Sequence, residues 1–248
     1  VELMKDQISL IIKQKSDGIA CLGLATEVNK LSLKEKIKII ELISKYCPKD
    51  FIRAITIQSN TIKDYKKLID VAKLNDASWI ILQPLIRPNI NDEDCYNFFL
   101  SILPQTEGFL TGIQNAKEYI GIGLNSKQVN KLYNNFNNFR AIKGEASSVI
   151  IREEIKEYPK DLTVFNGRGG QEILDNLNVG CKGIVPCLDF SDKLINIYKN
   201  FQKNNIPNAE KQYKEILPSI VFIMQSIETL ICYGKRVCAY RMGSKKYI

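Results

Sequence analysis

Seven short apolar runs alternate with amphipathic stretches along the chain, and this alternation restricts its fold more than any other feature. The runs cover residues 18–22, 51–57, 78–82, 109–114, 139–143, 162–165 and 183–187. Each has the length and β-branched content of a buried strand. Between them, apolar residues recur at helical spacing over 33–46, 62–74, 92–102, 126–133, 170–177 and 190–202. Strands follow one another at a period of roughly 20 to 33 residues, which suits right-handed βαβ units and a parallel sheet. A further helical pattern at 3–15 precedes the first run, as if one strand were absent before it. Restoring that strand gives eight, so the expected architecture is α/β, a (β/α)8 barrel. A doubly wound open sheet is the alternative. Without the first strand a barrel would leave two sheet edges exposed.

The 248 residues are 45% hydrophobic, enough for a large single core. The barrel is expected over 1–189. The last barrel helix and a C-terminal helical extension are expected over 190–248, continuous with it and with no Pro-, Gly- or Ser-rich linker between. Ser32 with Glu35, Asn60 before Ile62, and Ser191 are candidate helix caps. The apolar segment 217–232 contains Pro218, Gln225 and Glu228 and reads as a buried helix, not a membrane span. No signal peptide is recognisable, and the chain opens at Val1 within a helical pattern, so its true N-terminus is expected to lie outside it.

With no histidine, Ser-His-Asp triads, Cys-His dyads and His-based zinc sites are excluded. The seven cysteines form no CxxC pair and lie mostly in apolar runs, as buried thiols of a reducing cytoplasm do. No metal and no organic cofactor is expected. The net charge of +8 comes from lysines spread along helix faces without interleaved aromatics, so neither nucleic acid nor membrane is an expected partner. The expected ligand is small.

A lysine ends the largely apolar run Phe139-Arg140-Ala141-Ile142-Lys143, and Gly144-Glu145-Ala146 follows. An ammonium there is costly to desolvate; losing its proton makes the amine nucleophilic, as Schiff-base chemistry on a ketone requires. The alternative is a lysine that snorkels to solvent or pairs with Glu145. In a barrel the active site lies at the C-terminal strand ends. Those ends collect the 23–27 turn, Gln58-Ser59-Asn60, Gln83-Pro84, Gln114-Asn115, Lys143-Gly144-Glu145, the 166–170 glycine turn and Pro186-Cys187. This polar set, centred on one lysine, favours catalysis. The turn Asn166-Gly167-Arg168-Gly169-Gly170 has neither Walker nor GxGxxG spacing, and reads as a tight βα turn facing a small anion or ketone.

At these residues the chain resembles the dihydrodipicolinate synthase and N-acetylneuraminate lyase superfamily, the class I aldolase barrels. Residues 18–27 followed by Lys30-Leu31-Ser32 resemble the family's glycine-threonine-threonine-glycine-glutamate loop. Ile142-Lys143-Gly144-Glu145-Ala146 resembles its Schiff-base lysine strand, and 183–186 its last strand. Within the superfamily, 164–170 and 222–236 look closest to dehydratases and aldolases of 2-keto-3-deoxy sugar acids. There are departures. Leu24 and Ala25 replace the threonine pair, Gln114-Asn115-Ala116-Lys117 replaces tyrosine–asparagine–x–proline, and Tyr119 stands where many synthases have an arginine.

The resemblance implies a cytoplasmic lyase, a dimer or tetramer, that acts on a 2-keto acid through an iminium on Lys143. Glu145 would be its acid/base and Gln114 would orient a hydroxyl or water with Asn115. The backbone of Leu24, Ala25 and Thr26 would hold the substrate carboxylate, with backbone groups of Gly167 and Val185 completing the pocket. A synthase condensing pyruvate with an aldehyde is the rival within the fold. A non-catalytic barrel that binds keto or sugar acids is the rival outside enzymology.

Overall fold

The computed structural model describes residues 2–244. Seven parallel strands form one curled sheet in sequential order: β1 Gly18–Cys21, β2 Ile52–Ile57, β3 Trp79–Leu82, β4 Leu110–Asn115, β5 Phe139–Gly144, β6 Thr163–Asn166 and β7 Gly183–Ile184. Among the described residues β1 and β7 each lack a partner on their outer side. The eighth position of a (β/α)8 barrel lies between them. β7 is shorter than its apolar run because only β6 holds it; Val185 still donates its N–H to the Asn166 carbonyl, at 2.8 Å.

Helices cover the outside: α1 Glu2–Lys13, α2 Leu33–Tyr46, α3 Ile62–Leu74, α4 Asp92–Ile102, the short α5 Lys117–Ile120, α6 Ser126–Asn135, α7 Ser148–Glu157, α8 Ile173–Asn178 and α9 Ser191–Gln202. Ser32 and Glu35 form the expected capping box on α2, and Asn91–Asp94 and Asn125–Gln128 do the same for α4 and α6. Each such cap contributes about 1 kcal/mol. Two cap assignments need correcting. Thr61, not Asn60, caps α3 by accepting from the Asp64 N–H, because its hydroxyl sits three residues from that donor. Ser191 is the first residue of α9 instead of its cap, and its hydroxyl donates to Gln14 Oε1 at 2.7 Å. The helix α7 has a blurred periodicity in sequence, since Val149 and Ile150 are exposed while Ile151 is buried.

The period-2 alternation of strands divides the core in two. Outward-facing Ile55, Ile57, Ile80, Leu82, Ile113 and Ile142 meet the helices in one large cluster. Inside the barrel, Ala54, Trp79, Ile81, Ala141 and Phe165 form a small plug. Gly112 makes room for it: a Cβ there would come within 2.8 Å of the Trp79 ring.

After α9, α10 spans Ile206–Ile223, breaks, and resumes through α11 Ile227–Thr229, a π-helical turn at Leu230–Gly234 and α12 Lys235–Arg241. The segment 217–232 is therefore not one helix. The chain bends by 109° where the Ser226–Thr229 capping box starts a new helix, and no single described helix is long and apolar enough to cross a membrane. Ile216 and Ile220 of α10 pack with Ile173, Leu177, Leu194 and Ile197, so this region shares a core with α8 and α9. It also reaches the strand-end loops. Lys235 bridges Glu27, Met224 fills the space above Gly169, Gly234 lies against Asp189, and Arg241 bonds the Asp189 carbonyl and the Asp192 carboxylate.

Asp189 is the weak point of that contact. Burial pushes its carboxyl up to about 6, with the Phe190 N–H and Arg241 opposing the rise. The folded state thus keeps a proton that the unfolded chain releases near the ordinary 3.8. Stability therefore falls as pH rises from about 4 to about 6 and stays lower above that, by about 3 kcal/mol. Asp189→Asn, which keeps an acceptor for the Phe190 N–H, should raise the melting temperature at pH 7 by several degrees and leave it unchanged at pH 4. Thermal melts at the two pH values check this.

Candidate active site

The inward-facing positions that form the plug continue, two residues further along each strand, into a polar layer. Trp79 and Ile81 lead to Gln83, Gly112 to Gln114, Ala141 to Lys143 and Glu145, and Phe165 to Gly167. In register, Gln114 lies beside Lys143 and Lys143 beside Phe165. The chain thus places an amide, an ammonium and a carboxylate together at the C-terminal end of the sheet, inside the curl of the strands.

Lys143 and Glu145 form a buried ion pair through Nζ and Oε1, with side chains 9% and 6% exposed. The two alternatives considered for Lys143, a reactive amine or a partner of Glu145, meet in one geometry. Desolvating both charges is expensive, and such a pair persists only where further hydrogen bonds support it. Gln114 supplies one, donating Nε2–H to the same Oε1 at 2.5 Å. Gln83 donates its Nε2–H to Gln114 Oε1 at 2.8 Å. All four side chains are buried. Gly167 presses against them: a Cβ there would stand 2.8 Å from Glu145 Oε1 and 2.9 Å from Lys143 Nζ.

The remaining sequence-derived residues divide. Leu22, at the end of β1, is held at φ +60°, a strained conformation for a buried leucine, and it turns the chain into Leu24-Ala25-Thr26. That segment is a 3-10 turn, and the Thr26 hydroxyl donates to the Gly23 carbonyl at 2.6 Å. Among the described residues the Leu24 and Ala25 amides have no acceptor. Asn115 does not aim its amide at Lys143. It clamps the following loop, donating to the Leu124 carbonyl at 3.0 Å and accepting from the Leu124 N–H at 2.9 Å.

At the mouth, Arg168 pairs with Glu172 at 3.2 Å and Glu118 at 3.6 Å. Beside it Tyr119 has its phenol pushed up by burial, against the pull of Arg168. Cys187 is likewise pushed up to about 12 by burial, within electrostatic reach of Lys143 and Glu145. All seven cysteines are free, five of them buried, with Cys187 half-buried and Cys232 exposed. Sequence reasoning grouped Gln83 with the strand ends but gave it no role; its period-2 alignment with Trp79 and Ile81 was the available signal. One of the lysines spread along the helix faces, Lys36, is buried and donates to the Gln58 carbonyl at 2.8 Å.

A parallel α/β barrel whose fifth described strand carries a buried lysine–carboxylate pair defines an enzyme class, the Schiff-base lyases. The chain belongs to the dihydrodipicolinate synthetase family, whose pattern it matches over residues 1–233, in agreement with the resemblance of its motifs. It is 28% identical over 216 residues to a 4-hydroxy-tetrahydrodipicolinate synthase of Karelsulcia muelleri, covering 84% of this chain and 71% of that protein. It is 23% identical over 205 residues to the enzyme of the same name from Thermosipho melanesiensis, covering 82% and 70%.

Its fold matches the dihydrodipicolinate synthase of Rhodopseudomonas palustris (TM-score 0.85, 16% identity, 100% of this chain and 83% of that one). It equally matches the sialic acid aldolase of Ruminococcus gnavus (0.84, 15%, 98% and 81%). A third match is YagE, a prophage protein of Escherichia coli K12 solved with pyruvate (0.85, 17%, 95% and 80%).

Proposed function

We propose that the protein is a cytoplasmic lyase that dehydrates or cleaves a 2-keto-3-deoxy sugar acid through an iminium on Lys143. One observation carries this reading: the group that faces the Lys143–Glu145 pair is the amide of Gln114, which cannot titrate, where a proton-passing hydroxyl would serve a condensation. Glu145 takes a proton from the Lys143 ammonium, and the freed amine attacks the C2 ketone. Glu145 returns that proton to the carbinolamine hydroxyl, which leaves as water and gives the iminium on Lys143. That cation is the electron sink for loss of a C3 proton and expulsion of the C4 hydroxyl, or for rupture of the C3–C4 bond. Glu145 touches the amine and serves as the acid/base. The free Leu24 and Ala25 amides hold the substrate carboxylate, with Thr26 shaping their turn. Gln114 orients a hydroxyl or water, Gly167 and Val185 border the pocket with backbone groups, and Asn115 holds the wall. The exposed Val221, Phe222, Tyr233 and Tyr240 support a homo-oligomer, dimer or tetramer.

A second reading, condensation of pyruvate with aspartate semialdehyde, is favoured by the names of the two sequence relatives. One assay decides. The unaltered protein should turn over a member of a panel of 2-keto-3-deoxy sugar acids and give negligible condensation. Gln114→Tyr should not improve that turnover, and Glu145→Gln should lower it by about a hundredfold or more. Efficient condensation would establish the second reading instead.

A further inference from the structure

Gln83 and Gln114 are the two consecutive amides of a buried chain that ends on Glu145, and only one arrangement of their ends is compatible with an ionised carboxylate. A carboxylate can only accept, so Gln114 must present its NH2 to Glu145 and its oxygen to Gln83. Gln83 must then present its own NH2, and these are the two hydrogen bonds observed. When Glu145 has taken the proton of Lys143 and the amine has given its lone pair to the ketone, the Glu145 O–H needs another acceptor. Turning both amides end for end supplies one: Glu145 O–H to Gln114 Oε1, and Gln114 Nε2–H to Gln83 Oε1. Turning Gln114 alone would bring its NH2 against the NH2 of Gln83, two donors with no acceptor between them. The two amides therefore turn together.

The geometry points to Gln83 as a positioning residue that, with Gln114, forms a reversible two-amide switch, offering Glu145 a donor when ionised and an acceptor when protonated. No bond is made or broken in the switch; the one proton transferred is the one passing between Lys143 and Glu145. Gln83 makes no hydrogen bond to Lys143 or Glu145 among the described residues, so its polar influence reaches them through Gln114. The β3 backbone is fixed independently, since Tyr65 donates its hydroxyl to the Gln83 carbonyl at 3.1 Å. The other titratable groups within electrostatic reach of Glu145, Tyr119 and Cys187, make no hydrogen bond to it among the described residues. This inference rests on the proposed role of the Lys143–Glu145 pair.

The test is a double-mutant cycle on the rate of borohydride-trapped imine formation with pyruvate, together with kcat and KM for the sugar acid turned over. Gln83→Met keeps the side-chain length without the amide. It should slow trapping and kcat about tenfold, the worth of one buried hydrogen bond, with KM within about twofold. In a Gln114→Met background the same substitution should have no further effect, because the switch has already lost its other half. Independent, multiplying effects would reduce Gln83 to a packing role and overturn the proposal, as would an unaltered rate in Gln83→Met. If the unaltered protein traps no keto acid, the proposed function fails and side-chain 15N spectra still decide. Glu145→Gln should then shift the amide signals of both Gln83 and Gln114 if the pair is coupled, and those of Gln114 alone if it is not.

Discussion

Lys143→Ala is expected to abolish covalent capture of keto acids. With the unaltered protein, borohydride in the presence of pyruvate or a longer 2-keto acid should add the ligand's reduced mass to a peptide containing Lys143. The substitution removes the ammonium that pairs with Glu145 and leaves that carboxylate buried beside Gln114 without a counter-charge among the described residues. Two consequences follow together. The mass addition and all turnover disappear, and stability drops by about 3 kcal/mol or more, since stranding one partner of a buried pair is costly. Lys143→Met in a Glu145→Gln background removes both charges and should recover most of that stability without recovering any trapping. Mass spectrometry and denaturant melts separate the two effects. Trapping on a different lysine, such as the buried Lys36, would show that the reactive amine had been misassigned.

Gly167→Ala is the second substitution expected to have a large effect. The added methyl would lie 2.8 Å from Glu145 Cγ and Oε1 and 2.9 Å from Lys143 Nζ, inside any permitted contact. Both side chains are buried, so they cannot swing to solvent; they must shift inside the barrel by several tenths of an ångström. Misplacing reacting groups by a full ångström costs about a hundredfold in rate, so a shift of this size should cost about tenfold or more. The backbone itself is not under pressure, because Gly167 is not among the glycines in the left-handed region, unlike Gly169 and Gly170. The fold should therefore survive while the imine-formation rate collapses. Stopped trapping measurements alongside circular dichroism check it; an active Gly167→Ala enzyme would mean that the Lys143–Glu145 pair has room to move.

The order of strands and helices was legible in the sequence because the central strands β2 to β5 are buried on both faces and so appear as continuous apolar runs. α2, α3 and α4 span the ranges their periodicity marked, since each carries an inward apolar stripe and a clear cap. α7 was not, because its apolar residues point to solvent as well as to the core. The break after Ile223 was hidden as well: apolar residues continue through it, and only the Ser226–Thr229 cap marks where the helix restarts.

For the site, the sequence by itself determined which residue types stand at the strand ends. It singled out Lys143, Glu145 and Gln114, because a polar group at the end of an apolar strand is conspicuous in a one-dimensional pattern. Their partners were decided only in three dimensions. That Glu145 takes Lys143 as its ion-pair partner depends on the residue just past the end of β5 turning to the same side as Lys143 within it. That Gln114 reaches Glu145 and Gln83 reaches Gln114 depends on strands 31 residues apart lying in register. Asn115, one residue on, faces the opposite way and holds the Leu124 loop instead. Sequence specifies the chemistry available at each strand end, but hydrogen bonds form between neighbours in space, and neighbours are set by sheet register and curvature.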